Sequence, residues 1–208
     1  MPSYLFLVGM FFLTFLVPCA PLARTQEFSG VLVIPVRIHL IQSLIHPGLQ
    51  CTSTEAHVRA LWPEVNEIWR PAGIRFEIVS VSTLAALDVA PKRWLVRDRN
   101  WVKSALPPEK LHADAIDVCF VHEMGPNGFY YGEPVVVSET PSVFRVRNGA
   151  RQPIARVTSH ELGHALTLQH RKPNSALMAS ASTGIELNDT EIKEARAAAV
   201  KWLGFLRP

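Results

Sequence analysis

The chain has 208 residues, 48% of them hydrophobic and 19% charged, with a formal net charge of +3. That length and composition suit one globular unit with a sizeable core and exclude a chain dominated by disordered linker. A charge so small for the length also excludes bulk electrostatic attraction to nucleic acid or membrane, so partners must be read from individual sites.

Residues 4–17 are nearly all apolar, and no charge precedes Arg24. Such a run is short for a membrane span, and the small residues Ala20 and Ala23 follow it. Residues 1–23 are therefore expected to be a signal peptide, with an N-terminal anchor as the alternative, and residues 24–208 a single mature domain. A secreted or periplasmic location follows, or membrane attachment if the segment stays uncleaved. Pro18 beside Cys19 makes a poor lipoprotein box. Once Cys19 is removed, Cys51 and Cys119 remain, either paired in an oxidising compartment or as two buried thiols.

From residue 31 to 41 the chain alternates, with Leu32, Ile34, Val36, Ile38 and Leu40 on one face and Arg37 and His39 on the other, which predicts a strand with His39 as a plain outward residue. A helix is expected to start near Ser53 or Thr54, to line up Val58, Leu61, Val65 and Ile68, and to end at Gly73; Pro63 either kinks it or sits in its first turn. Ile74, Phe76 and Ile78 begin a second strand. Cations and indoles mix from Lys92 to Lys103, and the reading taken is a loop or short helix pinned by its tryptophans, not a nucleic-acid surface. Residues 115–121 form another strand, and the Gly125 to Gly128 turn cluster leads to two short ones at residues 129–131 and 135–137. The fold class is thus α/β (α+β), a mixed sheet of about five strands covered by helices. The last helix has Asn188 as cap with Glu191 three residues on, an apolar line through Ile192, Ala195, Ala199 and Trp202, and Gly204 as its stop. That cap explains Asn188 without a sugar, although Asn188-Asp189-Thr190 is also a glycosylation sequon.

The chemistry concentrates in residues 158–170, TSHELGHALTLQH. On a helix, with Ser159 or Thr158 as its cap, His160 and His164 lie one turn apart and project from one face at the separation a single zinc ion needs. Glu161 follows about 100° around the axis, placed to act as a base without ligating the metal. A catalytic zinc site needs a third protein ligand, and His170 is the best candidate. On a continued helix His170 would lie roughly 240° around from His164 and about 9 Å further along, so the chain must turn before it. Glu186, Glu191 and Glu194 stay open as alternatives. No GxSxG, P-loop or GxGxxG pattern competes.

His160 to His170 resembles the HExxHxxGxxH signature of the metzincin zinc peptidases, and is most similar to the matrixin type. Ala176-Leu177-Met178 stands where that family carries its Met-turn, and the helix after Asn188 matches its C-terminal helix. The resemblance implies a metzincin-like zincin with a twisted mixed sheet, a long N-terminal helix, an active-site helix and a C-terminal helix. It implies one catalytic zinc ion on His160, His164 and His170, Glu161 as catalytic base, and Met178 beneath the metal. A peptide or protein substrate would then lie as an extended strand along the segment from Gly128 to Glu133, with Tyr130, Tyr131 and Gly132 as substrate-binding residues, in a monomer. One departure stands out: Thr167 occupies the family's glycine position, at a strain of about 1 to 3 kcal/mol if the same turn is made. The expected activity is zinc-dependent cleavage of peptide bonds by an endopeptidase. The alternative is an exported zinc-binding module without hydrolytic activity, and the presence of Glu161 argues against it.

Overall fold

The computed structural model describes residues 30–89, 99–111 and 113–205. The expected signal peptide, Cys19 and the basic stretch from Lys92 to Arg97 lie outside the described residues. Among the described residues no helix is long and apolar enough to cross a membrane.

Five strands, β1 (Leu32–Gln42), β2 (Ile74–Ala85), β3 (Ile116–Val121), β4 (Gly128–Tyr130) and β5 (Val135–Ser138), form one sheet in the order β2-β1-β3-β5-β4. All neighbours pair in parallel except β4, which runs antiparallel to β5. Every residue of β3 and β5 is buried, as expected for central strands covered on both faces, whereas β2 alternates buried and exposed positions near its start, as an edge strand does.

One face packs against α1 (Glu55–Trp69), α3 (Pro153–Ala165) and α4 (Asp189–Phe205), through Ile34, Ile38, Phe76, Trp69, Leu162 and Ala195. On the other face Ile41, Cys119, Val121 and Val136 meet the short helix α2 (Arg99–Ser104), held down by Trp101 and Val102. That second cover corrects the expectation for His39, which is not an outward residue. It is 3% exposed, and its Nε2 lies 2.8 Å from Asp117 Oδ1 and its Nδ1 3.1 Å from Ser82 Oγ. Sequence alternation separates the two faces of a strand but does not say that both are buried.

Thr54 caps α1, accepting a hydrogen bond from His57 N–H. Pro63 sits in the middle of this helix, neither breaking it nor lying in its first turn. The carbonyl it leaves without a partner is that of Arg59, four residues back, and both residues are exposed, so water can satisfy it. Gly73, at φ 61°, closes the segment and feeds β2. Asn188 Oδ1 accepts from Glu191 N–H and Glu191 Oε2 accepts from Asn188 N–H, both at 2.8 Å, a reciprocal capping box at the start of α4. Gly204 does not stop α4, which is helical through Phe205. Cys51 and Cys119 are buried free thiols, not a disulfide.

Candidate metal centre and cleft

Helix α3 has Gln152 at its N-cap and begins at Pro153, ahead of the expected cap at Thr158 or Ser159, because Pro153 opens it with its preset φ. Thr158 and Ser159 are therefore interior residues, not caps, and their hydroxyls donate back to the carbonyls of Ile154 and Ala155 at 2.8 and 2.9 Å. Each residue from 155 to 163 is buried, so the helix is clamped between the sheet and the loop that follows.

Beyond Ala165 the chain turns as a Schellman motif: Leu168 N–H donates to Gly163 O at 2.9 Å and Thr167 N–H to His164 O at 3.0 Å. Thr167 takes the left-handed position, with φ 69°, the conformation a glycine would adopt without strain. This turn brings His170 back toward the helix. The three Nε2 atoms form a triangle: 3.2 Å from His160 to His164, 3.2 Å from His160 to His170, and 3.1 Å from His164 to His170. Exposure rises from buried His160 through half-buried His164 to exposed His170, so the triangle opens to solvent on one side. Glu186 and Glu191 instead bond to Ser175 and Arg171.

The donor set fits a small divalent ion. His160 Nδ1 donates to Leu177 O and His164 Nδ1 to Leu168 O, each at 2.8 Å. A carbonyl can only accept, so the proton of each ring is on Nδ1 and its Nε2 presents a lone pair. A tetrahedral zinc at about 2.0 to 2.1 Å from each nitrogen spaces its ligands by about 3.3 to 3.4 Å, close to the triangle seen here. Burial pushes the His160 pKa down to about 3, with the other imidazoles and Arg156 adding to it, and burial also lowers His164; both rings stay neutral.

Met178 is fully buried against α3, where a Cβ at Gly163 would lie 2.6 Å from its sulfur. The glycine one residue before His164 thus lets the loop seat against the helix. Arg156, one turn before His160, belongs to no sequence motif. It is 2% exposed, and it donates to Leu177 O at 2.8 Å, to Gly184 O at 3.2 Å and to Ala179 O. Leu177 O thereby accepts from both Arg156 and His160, tying the Met178 loop to the ring of the first histidine. Burial lowers the Arg156 pKa to about 10, and Glu161 opposes that effect. The place of Arg156 one turn before His160, on the same helix face, was the one signal available for it.

Above the triangle lies a cleft of about 850 Å³, lined by His160, Glu161, His164 and His170 on one side and by residues 125–132 on another. Glu161 is 5% exposed, and its carboxyl is pushed up to about 8 by burial, against the pull of Arg99 and Arg156. Strand β4 forms the wall facing it, so closely that a Cβ at Gly128 would fall 2.7 Å from Glu161 Cγ and 2.8 Å from its Oε1. Among the described residues β4 is the outermost strand, pairs only with β5 and leaves its other edge open. Tyr130, Tyr131 and Gly132 all line the cleft. Tyr130 is half-buried against the helix-side core, whereas Tyr131 is 60% exposed and accepts a hydrogen bond from Arg99 at 2.9 Å.

No family model and no curated protein sequence matches the chain. Among solved structures, a chain of a chaperone–substrate complex superposes with a TM-score of 0.52 at 12% identity over 83% of this chain. This chain spans 35% of that one. An archaemetzincin from Methanopyrus kandleri aligns over 89% of this chain and 100% of its own, at 13% identity and a TM-score of 0.47. A zinc-dependent peptidase from Methanocorpusculum labreanum aligns over 79% and 99%, at 13% identity and 0.41. At such identities only the first superposition bears on the fold, and the functional reading rests on the site.

Proposed function

We propose that the chain is a zinc-dependent endopeptidase of metzincin-like type, with His160, His164 and His170 as zinc ligands and Glu161 as catalytic base. The observation that carries this reading is the convergence of three imidazole nitrogens within 3.2 Å of one another, with the buried carboxyl of Glu161 lining the same cleft. A zinc ion bound there supplies Lewis acidity, which lowers the pKa of water and polarises a carbonyl.

The remaining work falls to the chain's own groups. Burial alone keeps Glu161 largely protonated near neutral pH, and the positive charge of an ion on the three imidazoles would favour its ionised form. That carboxylate would take the proton of the attacking water and pass it to the leaving amine nitrogen. Open backbone groups of β4 pair with an extended peptide and hold its carbonyl in line, an affinity that does not depend on side chains. Met178 and Arg156 fix the loop that orients His160. An exported location is part of the proposal, on the strength of the apolar run at residues 4–17 and the small residues after it.

The test is digestion of an unbiased peptide library by the mature protein, with zinc and with a chelator, beside metal analysis. One zinc per chain and chelator-sensitive cleavage are expected. Glu161→Ala should keep the metal and lose activity by about 10²- to 10⁴-fold, whereas His164→Ala should lose the metal. Cleavage that is undiminished in Glu161→Ala refutes the reading, and a zinc-loaded parent that cuts nothing supports a binding module instead.

A further inference from the structure

The rim of the cleft carries a cation that the chemistry above does not use. Arg99, the first residue of α2, is exposed and lines the cleft beside Tyr131. Its Nη1 donates to Tyr131 Oη at 2.9 Å, and its guanidinium carbon stands 5.5 Å from the centre of that ring. Among the described residues no carboxylate forms a salt bridge with it. The arrangement is braced, because Lys103 Nζ donates to Tyr131 O at 3.0 Å and Trp101 and Val102 anchor α2 in the core. The other charged groups of the cleft are committed: Arg156 to three carbonyls, and Glu161 to its place against Gly128.

Position along the wall gives Arg99 a register. Gly128 abuts Glu161, and Tyr131 lies three residues further on, roughly 10 Å along an extended chain. A peptide laid along β4 therefore brings a residue two or three positions from the scissile bond under the guanidinium. A planar fork held beside a tyrosine, with one of its five N–H donors bonded to the phenol oxygen and no carboxylate paired with it among the described residues, is suited to receive a carboxylate.

We propose that Arg99 binds a carboxylate of the substrate, so that the cleft selects peptides with an acidic group two or three residues from the bond cut. This deepens the peptidase reading and rests on it. The carboxylate can come from an aspartate or glutamate side chain or from a free C-terminus, and the experiment separates the two.

Otherwise identical peptides carry Glu, Gln or Lys at each position flanking the cleaved bond, and those ending within three residues of it are made as free acids and as amides. With zinc-loaded protein, the acid should be favoured over its neutral counterpart by about tenfold in kcat/KM at one position, mainly through KM. That advantage should vanish in Arg99→Ala and pass to Lys in Arg99→Glu. A preference confined to free-acid peptides assigns the group to a chain end, and one at internal Glu assigns it to a side chain. Equal rates for Glu and Gln together with equal rates for free acids and amides, or an acid preference that survives Arg99→Glu, overturn the proposal while leaving the peptidase reading intact. Binding of the same peptides to zinc-loaded Glu161→Ala protein, read by fluorescence anisotropy, is scored without turnover. An Arg99-dependent acid preference there, with a parent that cleaves nothing, sinks the peptidase reading and keeps this one. No preference in either assay overturns it.

Discussion

Thr167 sits at φ 69° in the turn that returns His170 to the other two histidines, a conformation in which a β-branched side chain crowds its own backbone. Replacing it with glycine removes about 1 to 3 kcal/mol of strain and adds about 0.5 to 1 kcal/mol of backbone entropy lost on folding. Thr167→Gly should therefore raise stability by about 1 kcal/mol, read from the urea midpoint; a lower midpoint would show that the threonine is not strained. The requirement for a turn was legible from the spacing of His164 and His170 alone. What the spacing could not say was whether a threonine would tolerate the left-handed position, because the surrounding hydrogen bonds, from Leu168 to Gly163 and from Thr167 to His164, decide that.

At the scale of elements, α3 and the Met178 loop behave as one piece, joined at the carbonyl of Leu177. Arg156→Met keeps the bulk of the side chain but leaves three buried carbonyls without that donor. It should cost about 3 kcal/mol of stability and weaken zinc binding by about 10- to 100-fold, measured by competition with a chromogenic chelator. Arg156→Lys should recover only part of the affinity, since an ammonium does not reproduce the planar fork that spans the three acceptors. Unchanged affinity in both variants would separate the arginine from the metal centre. The histidines and Glu161 were legible because a helical period converts their spacing directly into geometry. Arg156 was not, since its partners are main-chain carbonyls 21 to 28 residues away that no side-chain pattern announces. For the same reason the start of α3 was misplaced: two hydroxyl residues before His160 imitate a cap, and the true start is set by Pro153.

Across the whole molecule, Glu139, just after β5, joins the sheet to the approach to α1. It accepts hydrogen bonds from Thr52 and Ser53, backbone and side chain alike, and lies 2.7 Å from His122 Nδ1. Burial alone would raise its carboxyl, but the bonds from Thr52, His122 and Ser53 outweigh that and bring it from 4.5 down to about 2. A carboxyl lowered in the folded state contributes stability above its unfolded value and loses it as pH falls through the folded one. Stability should therefore drop by about 3 kcal/mol between pH 5 and 2 through this group, and Glu139→Gln should flatten that part of the profile of urea unfolding against pH. An unaltered profile in the variant would assign the acid sensitivity elsewhere. The layered plan around this junction was readable from alternation and caps, since each strand and long helix declares its own period. The order of the strands, the antiparallel turn of β4 and the His39–Asp117 pair were not, because they depend on which distant segments cover which face.

The narrow fit between the Gly128 backbone and the side chain of Glu161 sets the gauge of the cleft at that point. Not even a methyl group can be added at Gly128 without displacing Glu161 or Val157, so that point of the wall is closed to tuning by substitution. Divergence in what such a cleft admits has room farther out, where Arg99 and Tyr131 stand at its mouth.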